Sequence, residues 1–137
     1  MKKLVAGLFT AILTTAGFVA VTSSVPAHAQ CTGYVCNSTA TNMTSPKSVT
    51  AGKAAKVRVM VTTRAGNVEP RGDVILTVDG PGGYGRKFRF AFNGDRVVTN
   101  LGKLTKPGRY KLEARFFGDE GFLNSSDKGT LTVKKDR

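Results

Sequence analysis

Few residues of this chain could do chemistry, and most of them lie close to its N-terminus. The single histidine, His28, and the only two cysteines, Cys31 and Cys36, fall within the first 36 of 137 residues. The nine acidic residues are scattered, and Asp119 and Glu120 form their only adjacent pair. Nucleophilic catalysis by Ser or Cys usually needs a neighbouring histidine, and a calcium site needs several oxygen ligands at close spacing. The spacing of these residues therefore predicts neither a catalytic dyad nor a metal site.

The segment around the histidine has the three parts of a secretion signal. Two lysines at the start, an uncharged stretch over residues 4–21 and the small-x-small triplet Ala27-His28-Ala29 match the pattern that signal peptidase cleaves. We expect residues 1–29 to be a signal peptide that is removed, so that the protein is secreted or retained in the cell envelope. The alternative is an uncleaved membrane anchor, because 18 uncharged residues are close to the minimum that spans a bilayer.

Removal of this segment changes what the rest of the chain can do. Cleavage after Ala29 leaves 108 of the 137 residues and lowers the formal net charge from +12 to +10, because the segment holds two lysines and no acid. It also takes the only histidine, so the remaining chain has no imidazole for acid–base catalysis or metal binding. A chain of this size forms one domain. We expect that domain to be non-catalytic and to use no cofactor or metal.

Cys31 and Cys36 then lie close to the new N-terminus, with four residues between them. In an exported chain a local disulfide is the expected state, although a loop this short stabilises the fold by roughly 2 kcal/mol at most. A redox pair, which usually has two intervening residues, and an intermolecular bridge are the alternatives. The pair belongs to a Ser-, Thr- and Asn-rich segment, residues 30–45, which we expect to be an exposed lead-in to a domain over residues 46–137.

After the lead-in, apolar residues recur at every second position, which is the pattern of strands with one buried face. Val57, Val59 and Val61 alternate with polar residues, and several later segments do the same. These segments are residues 73–79, 87–92, 96–101, 109–116 and 129–133. Gly, Pro and Asn turns separate them, including the Asn-Gly-Asp turn at 93–95, which is typical of a hairpin. About seven short strands predict an all-β immunoglobulin-like antiparallel β-sandwich, in which Tyr110 takes the position of the tyrosine corner.

Three segments follow one another in an order that is shared with a known family. Residues 69–76, Glu-Pro-Arg-Gly-Asp-Val-Ile-Leu, are similar to a P-x-G-x-V-x-F strand entry. Residues 104–116 are similar to L-x-x-G-x-Y-x-L-x-A-x-Y, with Phe116 in place of the last tyrosine, and residues 117–125 are similar to the G-D-x-x-F/Y-x-x-S loop that follows. Over residues 49–133 the chain thus resembles bacterial Ig-like repeat domains of the group 3 type. The resemblance implies a non-catalytic module of an exported or surface protein for scaffolding, adhesion or carbohydrate contact, with no fixed ligand and hence no site residues. This chain departs from the family in holding a single such domain rather than a tandem array.

Two short motifs invite functional interpretations that their context does not support. Residues 80–85, Gly-Pro-Gly-Gly-Tyr-Gly, fit G-x-G-x-x-G, but the residues after them alternate as a strand, whereas a dinucleotide site needs a helix there. We therefore expect no nucleotide binding. The triplet Arg71-Gly72-Asp73 spells an integrin-binding sequence, but it lies where the strand-entry glycine of the resemblance falls.

The positive charge is the strongest functional signal in the sequence. If the valines at 57 and 59 and the phenylalanines at 88, 90 and 92 face the core, the cations between them face water. In an immunoglobulin-type strand order these strands share one sheet, which would unite the cations in one basic face. The candidate polyanion-binding residues are Lys56, Arg58, Lys87, Arg89 and Arg96. The inward phenylalanines argue against aromatic stacking with single-stranded nucleic acid.

The sequence leaves two functions open. The first is an exported interaction or scaffolding module whose partner is an unknown protein or glycan at the cell surface. The alternative is a binder of anionic polymers such as cell-wall polymers, acidic polysaccharides, anionic lipid surfaces or nucleic acid, held by the basic face through counterion release. The charge also has a simpler interpretation, since it keeps an exported domain soluble and its sheet edges unpaired.

Overall fold

The structure, a computed structural model, describes residues 36–64 and 66–136. Within these residues the chain forms eight strands and one turn of 3-10 helix over Pro81–Gly83. The strands are β1 (Thr39–Thr44), β2 (Ser48–Thr50), β3 (Ala54–Thr63), β4 (Arg71–Gly80), β5 (Tyr84–Asn93), β6 (Val97–Lys103), β7 (Gly108–Gly118) and β8 (Ser125–Lys134). The predicted signal peptide, residues 1–29, lies outside the described residues. In the part of the chain that is described, no helix is long and apolar enough to cross a membrane.

The strands form two sheets that pack face to face. The narrow sheet has three strands in the order β1-β3-β6, and the wide sheet has five in the order β2-β8-β7-β4-β5. The strand pairs are antiparallel, except that β2 runs parallel to β8. This arrangement confirms the predicted immunoglobulin-like β-sandwich.

The core lies between the sheets and is filled by every second residue of the strands. Val57, Val59 and Val61 of β3 are at most 1% exposed, as the period-two pattern predicts. Alternate residues of β4 and β7 are buried in the same way. They are Val74, Leu76 and Val78 on β4, and Tyr110, Leu112, Ala114 and Phe116 on β7. The alternating positions of the family resemblance are therefore positions of core packing, where each large side chain contributes roughly 1.5–3 kcal/mol to stability.

Tyr110 forms the predicted corner at the start of β7. Its side chain is 1% exposed, and its hydroxyl donates a hydrogen bond of 2.9 Å to the carbonyl oxygen of Lys106. The ring lies against Gly80, where a Cβ atom would overlap it, and it meets the ring of Tyr84 edge-on at a centroid distance of 5.3 Å. Burial, and secondarily the neighbouring Tyr84, raise the pKa of Tyr110, because both disfavour a phenolate.

β1 belongs to the sandwich rather than to the predicted exposed lead-in. Thr39 and Thr41 point inward and are only 5% and 7% exposed, and their hydroxyls lie 2.8 Å and 2.7 Å from the hydroxyl oxygen of Ser125. The backbone N–H of Met43 donates to the carboxylate of Asp127 at 2.8 Å. These bonds fix β1 against β8 and close the sandwich on that side. Because hydrogen bonds rather than apolar burial hold β1, the alternation of apolar residues did not reveal it.

Two predicted pairings around β5 are wrong. β5 pairs with β4 over its whole length, from Asn93 opposite Arg71 to Tyr84 opposite Gly80, and so belongs to the wide sheet. Positive φ angles at residues 82 and 83 turn the chain back between these two strands. The Asn-Gly-Asp turn at 93–95 does not make a hairpin, because β6, which follows it, pairs with β3. The chain crosses between the sheets at this turn.

Cys36 is not a free thiol, but its predicted partner, Cys31, lies outside the described residues, so their disulfide stays a prediction. The next residue is anchored to the loop between β7 and β8. The N–H of Asn37 donates to the carbonyl oxygen of Gly121 at 2.8 Å, and its carbonyl accepts the N–H of Leu123 at 3.0 Å. The cysteine is therefore positioned at one end of the sandwich.

Candidate binding surfaces

The structure brings three of the five predicted cations together on the outer side of the narrow sheet. Lys56 and Arg58 point outward from β3, and Arg96 is exposed directly before β6. Arg58 stands opposite Thr44 on one neighbouring strand and Val98 on the other. None of the three strands of this sheet contains an acidic residue. We call this surface, Lys56, Arg58 and Arg96, the cationic face.

The cationic face contains an open depression of about 410 Å³ between β1, β3 and the start of β6. Two guanidinium groups and polar or apolar side chains line it. The lining residues are Asn42, Thr44, Arg58, Met60 and Arg96. Met60 is 37% exposed, and Val98, diagonally across from it on β6, is 52% exposed. Guanidinium groups bind carboxylate, sulfate and phosphate oxygens in a bidentate manner, so this surface suits an anion that also offers some apolar contact.

The other two predicted cations, Lys87 and Arg89, lie on the outer side of the wide sheet, because they belong to β5. The prediction of one continuous basic face is therefore wrong. Arg89 forms an ion pair of 2.5 Å with Asp73 across the β4–β5 pair, and this hydrogen bond raises the pKa of Arg89. On the same side of the sheet, Glu113 lies 3.3 Å from Arg115. Asp73 and Glu113 thus pair with some of the cations of this side, which we call the balanced face because it carries acids as well as cations.

A second depression lies on the wide sheet. It measures about 500 Å³, lies on the balanced face and is lined by residues of β4, β7 and β8. Two acids and two lysines line it, namely Asp79, Glu113, Lys111 and Lys128. Glu113 also lies 3.8 Å from Lys128. An anionic polymer would meet as many negative as positive charges in this depression, so it is a poorer polyanion site than the depression on the cationic face.

The inward side of β5 is only partly covered. Phe88 and Phe90 are half-buried and stack with a centroid distance of 6.4 Å and an interplanar angle of 6°, whereas Phe92 is 2% exposed and packs edge-on against Phe116. The inward residues of the neighbouring strand β4 are 0% exposed. The narrow sheet therefore covers β4 but leaves much of β5 uncovered, because it is two strands narrower and is fixed to β8 at its other side. Period-two alternation shows which way a side chain points but not whether a strand lies opposite it, so the sequence did not reveal these half-exposed rings.

Neither of the two short motifs forms the site that its letters suggest. Arg71-Gly72-Asp73 lies in the extended start of β4 rather than at the tip of a loop, and its carboxylate is bonded to Arg89. Residues 80–85 lead from β4 through a single 3-10 turn into β5, not into a helix of useful length. Across the described ranges, no three His, Cys, Asp or Glu side chains lie close enough together to hold a metal ion.

Comparison with known proteins supports the fold at low sequence identity. The CARDB domain of a Pyrococcus furiosus protein, solved in complex with di-metal ions, is 16% identical with a TM-score of 0.50, over 75% of this chain and 100% of that one. A β-glucosidase from Listeria innocua is 11% identical with a TM-score of 0.50 over 73% of this chain, which spans only 16% of that enzyme. No protein-family model and no curated protein matches this chain. The chain is thus similar to immunoglobulin-like β-sandwich modules in fold alone.

Proposed function

We propose that this chain is an exported, non-catalytic immunoglobulin-like module that binds a partner at the cell surface or in the extracellular medium. The all-β sandwich of two packed sheets supports this proposal. The group 3 resemblance of residues 49–133 implies the same kind of module. Export rests on the signal-peptide pattern of residues 1–29.

The acid-free cationic face favours one class of partner, an anionic polymer. Lys56 and Arg58 lie on strands that carry no carboxylate, and Arg96, which follows Asp95 in the turn before β6, forms no ion pair within the described residues. Condensed counterions leave a polyanion when such a surface binds it, which makes the affinity fall with salt. Acidic polysaccharide or cell-wall polymer is the partner class that this chemistry fits in an exported protein.

Retention on heparin resin tests the polyanion assignment. The wild-type protein should elute above ~0.2 M salt, and the triple variant Lys56→Ser, Arg58→Ser, Arg96→Ser should elute earlier. Its slope of log affinity against log salt should fall by about 2–3, since roughly 0.7–0.9 counterions are released per contact. The matched control removes three exposed cations of the balanced face instead. These are Arg109, Lys111 and Lys134.

The comparison separates location from total charge, because both triple variants lose three positive charges. Equal losses of retention by the two triple variants would mean that net charge alone determines binding to the resin, and would contradict a site on the cationic face. Elution of the wild-type protein below ~0.2 M salt would refute the polyanion assignment and leave a protein or an uncharged glycan as the partner.

Mass spectrometry of the secreted protein tests the export assignment. We expect an N-terminus at Gln30 and a mass lower by two hydrogens than that of the reduced chain, as a Cys31–Cys36 disulfide requires. A protein that starts at Met1 and stays in the membrane fraction would refute cleavage. Two alkylatable thiols would refute the disulfide, and a covalent dimer that reductant separates would support the intermolecular bridge instead.

A further inference from the structure

β5 is a long open edge of the wide sheet. It spans the ten residues Tyr84–Asn93 and, among the strands of residues 36–64 and 66–136, pairs on one side only, with β4. No proline interrupts it, and the register with β4 runs over all ten residues without a bulge. Unpaired N–H and C=O groups on the free side of such a strand are a template for another strand.

The charges of β5 determine which strand can pair with it. Arg86, Lys87 and Arg89 are exposed, and the strand contains no acidic residue. Two copies of β5 would place like charges side by side, which destabilises strand pairs. The edge is therefore protected against pairing with a second copy of this chain, but the same cations attract an acidic segment.

The two sides of β5 also differ in chemistry, and that difference defines a pattern for the incoming strand. Lys87 and Arg89 point to the balanced face, where Asp73 already pairs with Arg89. Phe88 and Phe90 point to the partly covered inner side, where they are half-buried and where Arg86 lies at the end next to β6. Since successive side chains of a strand alternate between the faces of its sheet, an added strand would present one set of residues to the cations. It would cover the phenylalanine rings with the other set.

We propose that β5 binds an extended acidic peptide of a partner protein as an additional strand of the wide sheet, with acidic and apolar residues alternating along it. Backbone hydrogen bonds supply affinity independent of sequence, and the alternation supplies specificity. The apolar residues complete the cover that the narrow sheet leaves incomplete over the phenylalanines. This site is separate from the cationic face, so either assignment can fail without the other.

A fluorescently labelled peptide of four Glu-Val repeats, capped at both ends, is a suitable probe. Fluorescence anisotropy should show that it binds the full chain, and that a Lys-Val peptide of equal length does not. Lys87→Glu should weaken binding by about tenfold, since an attraction becomes a repulsion. Lys111→Glu is the matched control, because it reverses an exposed charge of the balanced face on β7, which has strands on both sides. Circular dichroism should show both variants folded.

Three further outcomes decide the mode of binding. Two Glu-Val peptides that are N-methylated at alternate residues, one on each edge, should differ in affinity, because only one edge of an added strand meets β5. Equal binding by the two methylated peptides would overturn strand addition. Equal weakening by Lys87→Glu and Lys111→Glu would move the peptide away from the edge and overturn the site. A labelled oligothymidylate that binds more tightly than the Glu-Val peptide, and competes with it, would assign the rings to base stacking and overturn the peptide partner.

Discussion

The two tyrosines at the corner of β7 allow one chemical change to be made twice with opposite expected results. Tyr110 and Tyr84 meet edge-on, and replacing either by Phe removes a single hydroxyl. The hydroxyl of Tyr110 donates a hydrogen bond to the carbonyl oxygen of Lys106, whereas that of Tyr84 is buried without a hydrogen-bond partner among the described residues. A buried hydroxyl that makes a bond contributes to stability, and one that makes none costs desolvation.

The structure sets the expected magnitudes. Tyr110→Phe should cost about 1 kcal/mol, because Lys106 is exposed and water can replace the lost donor to its carbonyl. For a domain of this size such a loss lowers the melting temperature by roughly 4–8 °C. Tyr84→Phe should raise the free energy of unfolding by up to about 1 kcal/mol, or leave it unchanged. Urea unfolding followed by circular dichroism measures both, and unchanged m-values would show that only stability differs.

The pH dependence gives the same pair of variants a second readout. Burial raises the pKa of Tyr110 above its ordinary value of 10.0, so the folded state holds this proton more tightly than the unfolded state. The stability that Tyr110 contributes is then complete below pH 10.0 and is lost as the pH rises through the folded pKa. Tyr110→Phe should therefore lose less stability than the wild-type protein in this range. Tyr84→Phe removes one cause of the shift, so tyrosinate absorbance should show Tyr110 titrating at a lower pH in this variant.

Only Tyr110→Phe is expected to lower the free energy of unfolding, and the result for either variant can refute this explanation of the corner. If Tyr84→Phe destabilises the fold as much as Tyr110→Phe, the hydroxyl of Tyr84 has a bonding partner and the analysis of the corner fails. If Tyr110→Phe keeps the full alkaline loss of stability, other groups cause that loss and the burial of Tyr110 does not.

Two further predictions concern the backbone of the wide sheet and the attachment of β1. Gly72→Ala should cost at least about 2 kcal/mol of folding stability, because Gly72 has a φ of 151° and a Cβ there would overlap the carbonyl oxygen of Phe117. Gly85→Ala is the control and should be tolerated, because its Cβ would meet only a side-chain atom at 3.7 Å. Comparable urea midpoints for the two variants would contradict this prediction. Asp127→Ala should cost about 1–2 kcal/mol of folding stability by removing the acceptor of the Met43 N–H. Asp127→Asn keeps an oxygen at that position and should cost less. Hydrogen exchange of the β1 amides should become faster in the Ala variant, and unchanged exchange would show that other contacts hold β1.

The parts of the fold that the sequence predicted correctly are those that depend on apolar alternation. Val57, Val59 and Val61, and the alternate residues of β7, are buried as expected because a strand with one apolar face must turn that face inward. The sequence analysis did not predict β1, because its inward residues are threonines that bond to Ser125, and a polar strand shows no apolar periodicity. Apolar periodicity therefore detects strands that burial stabilises and misses strands that hydrogen bonds attach.

The sequence correctly predicted which side chains of the candidate site face water. It did not correctly predict which sheet carries Lys87 and Arg89. Lys87 and Arg89 are outward, but their strand pairs with β4 instead of joining β3 and β6. Alternation along one strand holds no information about its neighbour, and the Asn-Gly-Asp signal at 93–95 specifies a reversal of the chain without specifying whether the next strand stays in the same sheet. The pairing of β5 with β4 in the wide sheet, and of β6 with β3 in the narrow sheet, separates the five predicted cations into two groups.

The separation of the two faces also decides how far their charges can influence each other. Sheets of a sandwich lie about 10 Å apart, and outward side chains add to that distance. The Debye length is about 10 Å at 0.1 M salt, so Asp73, Asp79 and Glu113 on the balanced face do little to neutralise Lys56 and Arg58 across the core. At 0.01 M salt the Debye length reaches about 30 Å, and a bound polyanion would respond to the net charge of both faces. The two triple variants should therefore differ clearly in heparin affinity near 0.1 M salt and converge near 0.01 M. A difference that does not depend on salt would show that contact geometry rather than the field of the acid-free sheet selects the cationic face.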